Sequence, residues 1–153
     1  MEQIKWPFLK QTWGIEFESS KGAYLYTKDG RKILDAAGGA IVNNIGYGRE
    51  EVAEAISRAV INNSYILPPF LTPEREALLD ELRNHWLPSH LTRIHLSSGG
   101  SESNESAVKL AIQYQASRGK PEKNIILTRS LSYHGTTLNM SGISGHEARK
   151  RGL

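Results

Sequence analysis

The residue types best able to do chemistry crowd into one stretch, Ser97-Ser98-Gly99-Gly100-Ser101-Glu102-Ser103-Asn104-Glu105. A strand-like run, Arg93-Ile94-His95-Leu96, precedes it. Ala107, Leu110, Ala111 and Tyr114 follow at the i, i+3, i+4, i+7 spacing of a helix face. Two glycines and a serine therefore stand where a strand turns into a helix, and the chemistry this suits is anion binding. Glycine lets the backbone turn tightly and approach a ligand. The first N–H groups of a helix have no partner inside it, and its dipole favours negative charge there. A serine hydroxyl adds a donor for a phosphate oxygen. The plain alternative is an ordinary turn, because Gly and Ser are favoured at turns and N-caps without any ligand. The spacing excludes a P-loop, since no lysine follows before Lys109, and it excludes the Gly-x-Gly-x-x-Gly dinucleotide fingerprint.

The elements around this stretch must position it. The helix it opens is broken by Gly119-Lys120-Pro121, and Asn124-Ile125-Ile126-Leu127-Thr128 then reads as a short buried strand. A strand–helix–strand unit of this length predicts a right-handed crossover and parallel pairing. Ser132-Tyr133-His134-Gly135-Thr136-Thr137 lies just past the second strand. In open α/β sheets ligands bind beyond the carboxyl ends of strands, so loops 98–101 and 133–136 are expected on one rim.

Upstream, residues 1–20 read as irregular, with Trp6, Phe8 and Trp13 as tethering aromatics. Ala23–Thr27 and Lys32–Asp35 predict a hairpin turning at Lys28-Asp29-Gly30-Arg31. Two glycine-rich loops follow, Ala36–Ala40 and Asn43–Gly48. Val52, Ala55, Ile56, Ala59 and Val60 predict a helix over 50–63, with Glu50 and Glu51 favouring its start. Thr72-Pro73-Glu74 opens another, whose apolar stripe is Leu78, Leu82 and Trp86 and which Pro88 stops.

With 153 residues, the chain can bury a core; 39% apolar and 23% charged residues are ordinary for a globular protein. The net charge of +3 is scattered apart from Arg149-Lys150-Arg151, which argues against a nucleic-acid partner. The absence of cysteine excludes disulfides and thiolate chemistry and fits the cytoplasm. No leader-like start and no membrane-length apolar run is seen, so no membrane role is expected.

Taken together, Ser98 through Ala111 and Ser132-Tyr133-His134-Gly135-Thr136-Thr137 resemble the class III aminotransferases, PLP (pyridoxal 5'-phosphate) enzymes of fold type I. Gly30 through Gly39 and Asn44-Ile45-Gly46-Tyr47-Gly48 resemble the N-terminal part of the same family. The resemblance runs from about residue 14 to the end. It implies an α/β fold, the N-terminal part of a PLP-dependent transferase. A hairpin-containing segment (1–48) and a helical connection (49–92) would lead into the start of the large domain's mostly parallel sheet (93–153).

It also implies PLP as cofactor, held at its phosphate by Gly100 and Ser101. Tyr133 would stack on the pyridine ring and His134 would help fix that loop. The alternative readings are a buried core tyrosine and a structural or solvated histidine. Glu105 matches the family pattern, but no chemistry is assigned to it. The implied reaction passes an amino group from an amine or amino acid to a keto or aldehyde acceptor, in a homodimer. The family's Schiff-base lysine and the aspartate that pairs with the pyridine nitrogen are expected beyond Leu153. None of the lysines at 5, 10, 21, 28, 32, 109, 120, 123 and 150 sits in that lysine's context.

The expectation is therefore an N-terminal portion, inactive alone, with no catalytic residue of its own and no metal. Two other readings stay open. One is a non-catalytic module that pairs with a full-length relative or with a separate C-terminal portion. The other is a generic phosphate-binding α/β domain.

Overall fold

In a computed structural model the structure describes residues 14–152, as two compact units that divide between Leu78 and Leu79. The expected arm with Trp6, Phe8 and Trp13 lies outside the described residues.

The first unit is built on a three-stranded antiparallel sheet in the order β1 (Phe17–Lys21), β2 (Tyr24–Thr27), β3 (Lys32–Leu34). The predicted hairpin is β2–β3, in register Tyr24 with Leu34 and Tyr26 with Lys32. Its turn closes as expected of an Asp-Gly sequence. Gly30 takes a φ of 84°, its N–H donates to the Thr27 carbonyl at 3.0 Å, and the buried Thr27 hydroxyl accepts from the Arg31 N–H at 2.9 Å. Strand β1 is a correction, because residues 17–20 read as irregular. Phe17-Glu18-Ser19-Ser20-Lys21 carries no alternating apolar pattern, and pairing with β2 rather than periodicity makes it a strand.

The glycine-rich stretch after β3 folds around one carboxylate. Asp35 accepts from the Tyr47 hydroxyl at 2.7 Å and from the N–H groups of Gly39 at 2.7 Å and Ala37 at 3.1 Å. The four-residue turn α1 (Gly38–Ile41) lies inside this loop, with Ile41 at a φ of 63°. Tyr47 exchanges two backbone hydrogen bonds with Gly22, pinning the loop to the sheet. Gly46 passes so close to Gly22 that a Cβ would sit 3.1 Å from its carbonyl oxygen.

Helix α2 (Glu50–Asn63) begins and ends where the sequence predicts. Helix α3 (Pro73–Glu81) starts behind Thr72, whose hydroxyl accepts from the Arg75 N–H at 3.3 Å. The Arg75 guanidinium donates to the carbonyls of Leu67 at 2.9 Å and Phe70 at 2.6 Å, fastening the proline loop to the helix. Leu82–Trp86 then winds as a π-type turn, closed by the Leu87 N–H on the Leu82 carbonyl at 2.9 Å. Leu87 is extended ahead of Pro88, as the ring requires. The expected apolar stripe is not a buried one: Leu78 and Trp86 are exposed.

In the second unit the long helix α4 (Gly100–Ser117) matches the expected span. The short α5 (Leu138–Ile143) packs against it, and a 3-10 turn follows at Glu147–Arg149. Here the expectation of two paired parallel strands fails. Neither 93–97 nor 124–128 joins a strand ladder among the described residues, and the two do not pair with each other. Strand structure needs a partner edge, which the described residues do not place beside either run. The run read as buried is exposed instead, Ile125 to 80% and Leu127 to 91%. Among the described residues the only apolar side chain fully buried is Met140 of α5.

Candidate functional site

The turn into α4 is shaped by its own side chains. Gly99 is the N-cap in extended backbone, and no side chain caps the helix. Ser103 N–H is the first to bond within the chain turn, on the Gly99 carbonyl at 3.0 Å. The N–H groups of Gly100, Ser101 and Glu102 therefore have no carbonyl of the helix to meet. Glu102 reaches back instead to the hydroxyl of Ser98 and to its N–H at 3.0 Å, and these bonds, the hydroxyl's most, lower its pKa below the usual glutamate range. That carboxylate is thus engaged upstream of the N–H groups.

Neither Gly99 nor Gly100 has a positive φ, so no tight turn requires them. What they provide is room: a Cβ on either would meet no protein atom within 4 Å. Bare N–H groups at the start of a helix are what an incoming anion needs.

Residues more than 30 positions onward close over this turn. The Thr136 N–H donates to Ser101 Oγ at 3.0 Å. Gly135 is buried with a φ of 138°, and a Cβ there would lie 2.5 Å from Ser101 Oγ and 2.9 Å from its Cα. Asn104 Nδ2 donates to the His134 carbonyl at 2.7 Å. Glu105 accepts from the Thr137 hydroxyl at 2.7 Å and from Asn139 Nδ2 at 3.2 Å, which holds its pKa below the usual range, the Thr137 bond most. From the other side, the Ser144 hydroxyl accepts from the His134 N–H at 3.0 Å and donates to the Met140 carbonyl at 2.6 Å.

The four residues singled out in the sequence fall into two pairs. Gly100 and Ser101 form the first turn of α4, and Ser101 Oγ accepts from Thr136 through a lone pair, a role that does not use its hydrogen. Tyr133 and His134 stand in the loop that this contact draws over the turn. Tyr133 is 56% exposed and so is not a core tyrosine. His134 is half-buried; both its backbone groups are bonded, and its Nε2 is shielded without a hydrogen-bond partner among the described residues. Sequence reasoning missed Asn104, Thr136, Thr137 and Asn139 as parts of the site. The available signal was the spacing of Ser101, Asn104 and Glu105, which places all three on one helix face.

A sequence model of the family "Aminotransferase class-III" matches residues 10–152. The chain belongs to the class III aminotransferases. A probable aminotransferase of Mycobacterium tuberculosis is 38% identical over 125 residues, covering 81% of this chain and 27% of that one. A transaminase from the marine bacterium Virgibacillus superposes with a TM-score of 0.86 at 27% identity, over 95% of this chain and 34% of the other. An amine transaminase from an uncultivated Pseudomonas species, solved in a PLP-bound form, shares the fold with a TM-score of 0.86 at 24% identity. Against the first curated relatives this class III chain spans 27–33% of their length. Its fold is accordingly part of a PLP-dependent transferase fold. Among the described residues no group of acidic, histidine or cysteine side chains could hold a metal, and no helix is long and apolar enough to cross a membrane.

Proposed function

We propose that this chain carries the phosphate-holding and ring-facing part of the PLP site of a transaminase that passes an amino group from an amine or amino acid to a keto or aldehyde acceptor. The observation that carries this reading is the Thr136–Ser101 hydrogen bond, which unites two loops that are far apart in sequence at the bare N–H groups of α4. The residues present fit the cofactor. The N–H groups of Gly100 and Ser101, at the positive end of an 18-residue helix, and the Ser101 hydroxyl would hold its phosphate. Tyr133 offers an exposed ring for the flat pyridine face. The backbone bonds of His134 to Asn104 and Ser144 fix the loop that carries both residues. When bound, the cofactor supplies the electron sink for chemistry at the amino-bearing carbon.

The Schiff-base lysine and the acidic partner of the pyridine nitrogen are assigned to protein outside residues 1–153. The exposed runs 93–97 and 124–128 are the surfaces such a portion would cover, and this supports that assignment. A cytoplasmic homodimer is the assembly the family resemblance implies.

The test uses pyridoxamine phosphate, which lacks the aldehyde and so cannot form imines with surface lysines. The 153-residue chain is expected to bind it, and Ser101→Ala to weaken it by about tenfold to a hundredfold, as for a lost bond to a charged group. Binding unaffected by Ser101→Ala would remove the phosphate site from this turn. Transaminase turnover is expected only once a lysine-bearing C-terminal portion is supplied. Turnover by the chain alone would mean that one of its own lysines serves, and the assignment outside the chain would fall.

A further inference from the structure

The phosphate turn and the loop over it are joined by the bonds of Ser101 and Asn104 already described and by two more on Glu105 that take no direct part in holding the ligand. Ser101, Asn104 and Glu105 share one face of α4, and together they engage the segment 134–139 at four points. The division of labour is chemical. The Asn104 amide donates to a backbone carbonyl, so it sets the position of the chain itself at His134. Glu105 uses one oxygen for the Thr137 hydroxyl and the other for the Asn139 amide, a brace across the start of α5. Ser101 accepts from the Thr136 N–H, while its hydrogen is assigned to the phosphate. With both oxygens accepting hydrogen bonds, the Glu105 carboxylate is wholly engaged by the loop.

We propose that Asn104 and Glu105 are positioning residues that hold the 134–139 segment at a set height along α4, and thereby fix the spacing between the phosphate turn and the Tyr133 ring for a phosphorylated pyridine ligand. This rests on the PLP-site reading. In such a ligand the phosphate and the ring are covalently linked, so both halves of the site must stand at matching distance before it binds. Inorganic phosphate needs only the turn. The two probes therefore separate positioning from anion binding.

The 153-residue chain and its Asn104→Leu, Glu105→Ala, Thr137→Val and Thr137→Ser variants are titrated with pyridoxamine phosphate and, separately, with inorganic phosphate. Backbone hydrogen exchange is followed over 133–139. Asn104→Leu, Glu105→Ala and Thr137→Val are expected to weaken pyridoxamine phosphate by about tenfold, the usual effect of removing a group that orients a ligand contact. They should also speed exchange in the loop and leave inorganic phosphate binding as it was. Thr137→Ser keeps the hydroxyl and restores the parent behaviour, and the Val/Ser pair alters too little of the side chain to unfold α4. If exchange rises while the preference for pyridoxamine phosphate over phosphate is unchanged, the contacts are only structural and the proposal is overturned. If preference and exchange both match the parent, it is equally overturned. A parent chain that binds neither probe overturns the PLP-site reading, and this inference with it.

Discussion

Two carboxylates organise the two units, and they work over different ranges. Asp35 gathers donors from within its own loop, Ala37, Gly39 and Tyr47, none more than 12 residues away. Glu105 gathers its donors from 32 and 34 residues onward. Both have lowered pKa values from accepted hydrogen bonds, Asp35 mainly from the Tyr47 hydroxyl and Glu105 mainly from the Thr137 hydroxyl. The chemistry is the same and the consequence is not. Asp35 shapes a loop that short-range closure already brings near, whereas Glu105 joins segments whose meeting depends on the packing of α4 and α5. The first is a local knot and the second a tertiary joint.

The largest break in this contrast comes from a methyl group. Gly135→Ala would put a Cβ 2.5 Å from Ser101 Oγ and 2.9 Å from its Cα, at a φ of 138° that side chains rarely adopt. It is expected to cost about 1–3 kcal/mol, the range for overpacking, and to lift the loop from α4, which thermal unfolding and hydrogen exchange over 133–139 would read. Gly46→Ala meets the Gly22 carbonyl oxygen at a looser 3.1 Å. Its cost should be about 1 kcal/mol, mainly from its positive φ, with faster exchange confined to residues 35–48. Equal spread of the two effects through both units would erase the distinction between knot and joint.

Charge removal follows in size. Glu105→Gln should release the amides of 134–139 several-fold in exchange and leave 35–48 untouched, and Asp35→Asn should do the reverse. Acid sharpens the same comparison. Each carboxylate has a folded pKa below its unfolded value, so its contribution is fully present above the unfolded value and is lost as pH falls through the folded one. Both segments are expected to loosen as pH drops below about 4, and Glu105→Gln should abolish the acid response of 134–139 alone. An acid response that survives in that variant would mean another group holds the loop.

The smallest effect is expected at Glu16 and Lys28, an ion pair at 2.6 Å with both side chains about two-thirds exposed. Water and salt screen such a pair. Glu16→Gln should leave the midpoint of thermal unfolding unchanged within error, and a clear drop would show that β1 depends on it.

Some of this was legible in the sequence alone, for local reasons. The hairpin at Asp29-Gly30, the start of α3 at Thr72-Pro73 and the span of α4 each follow from a few adjacent residues whose backbone preferences decide the outcome. The motifs at 98–111 and 132–137 pointed to the class III family, and the family match bears that out. Tertiary structure decided the rest. Phe17–Lys21 became a strand because β2 lay beside it, while 124–128, a better strand by composition, found no partner edge and stayed outside any ladder. Glu105 had no assigned role until Thr137 and Asn139 were brought to it. A residue's own preferences are written in its neighbours along the chain, but the donor that satisfies a carboxylate and the edge that completes a strand come from segments that only packing brings near.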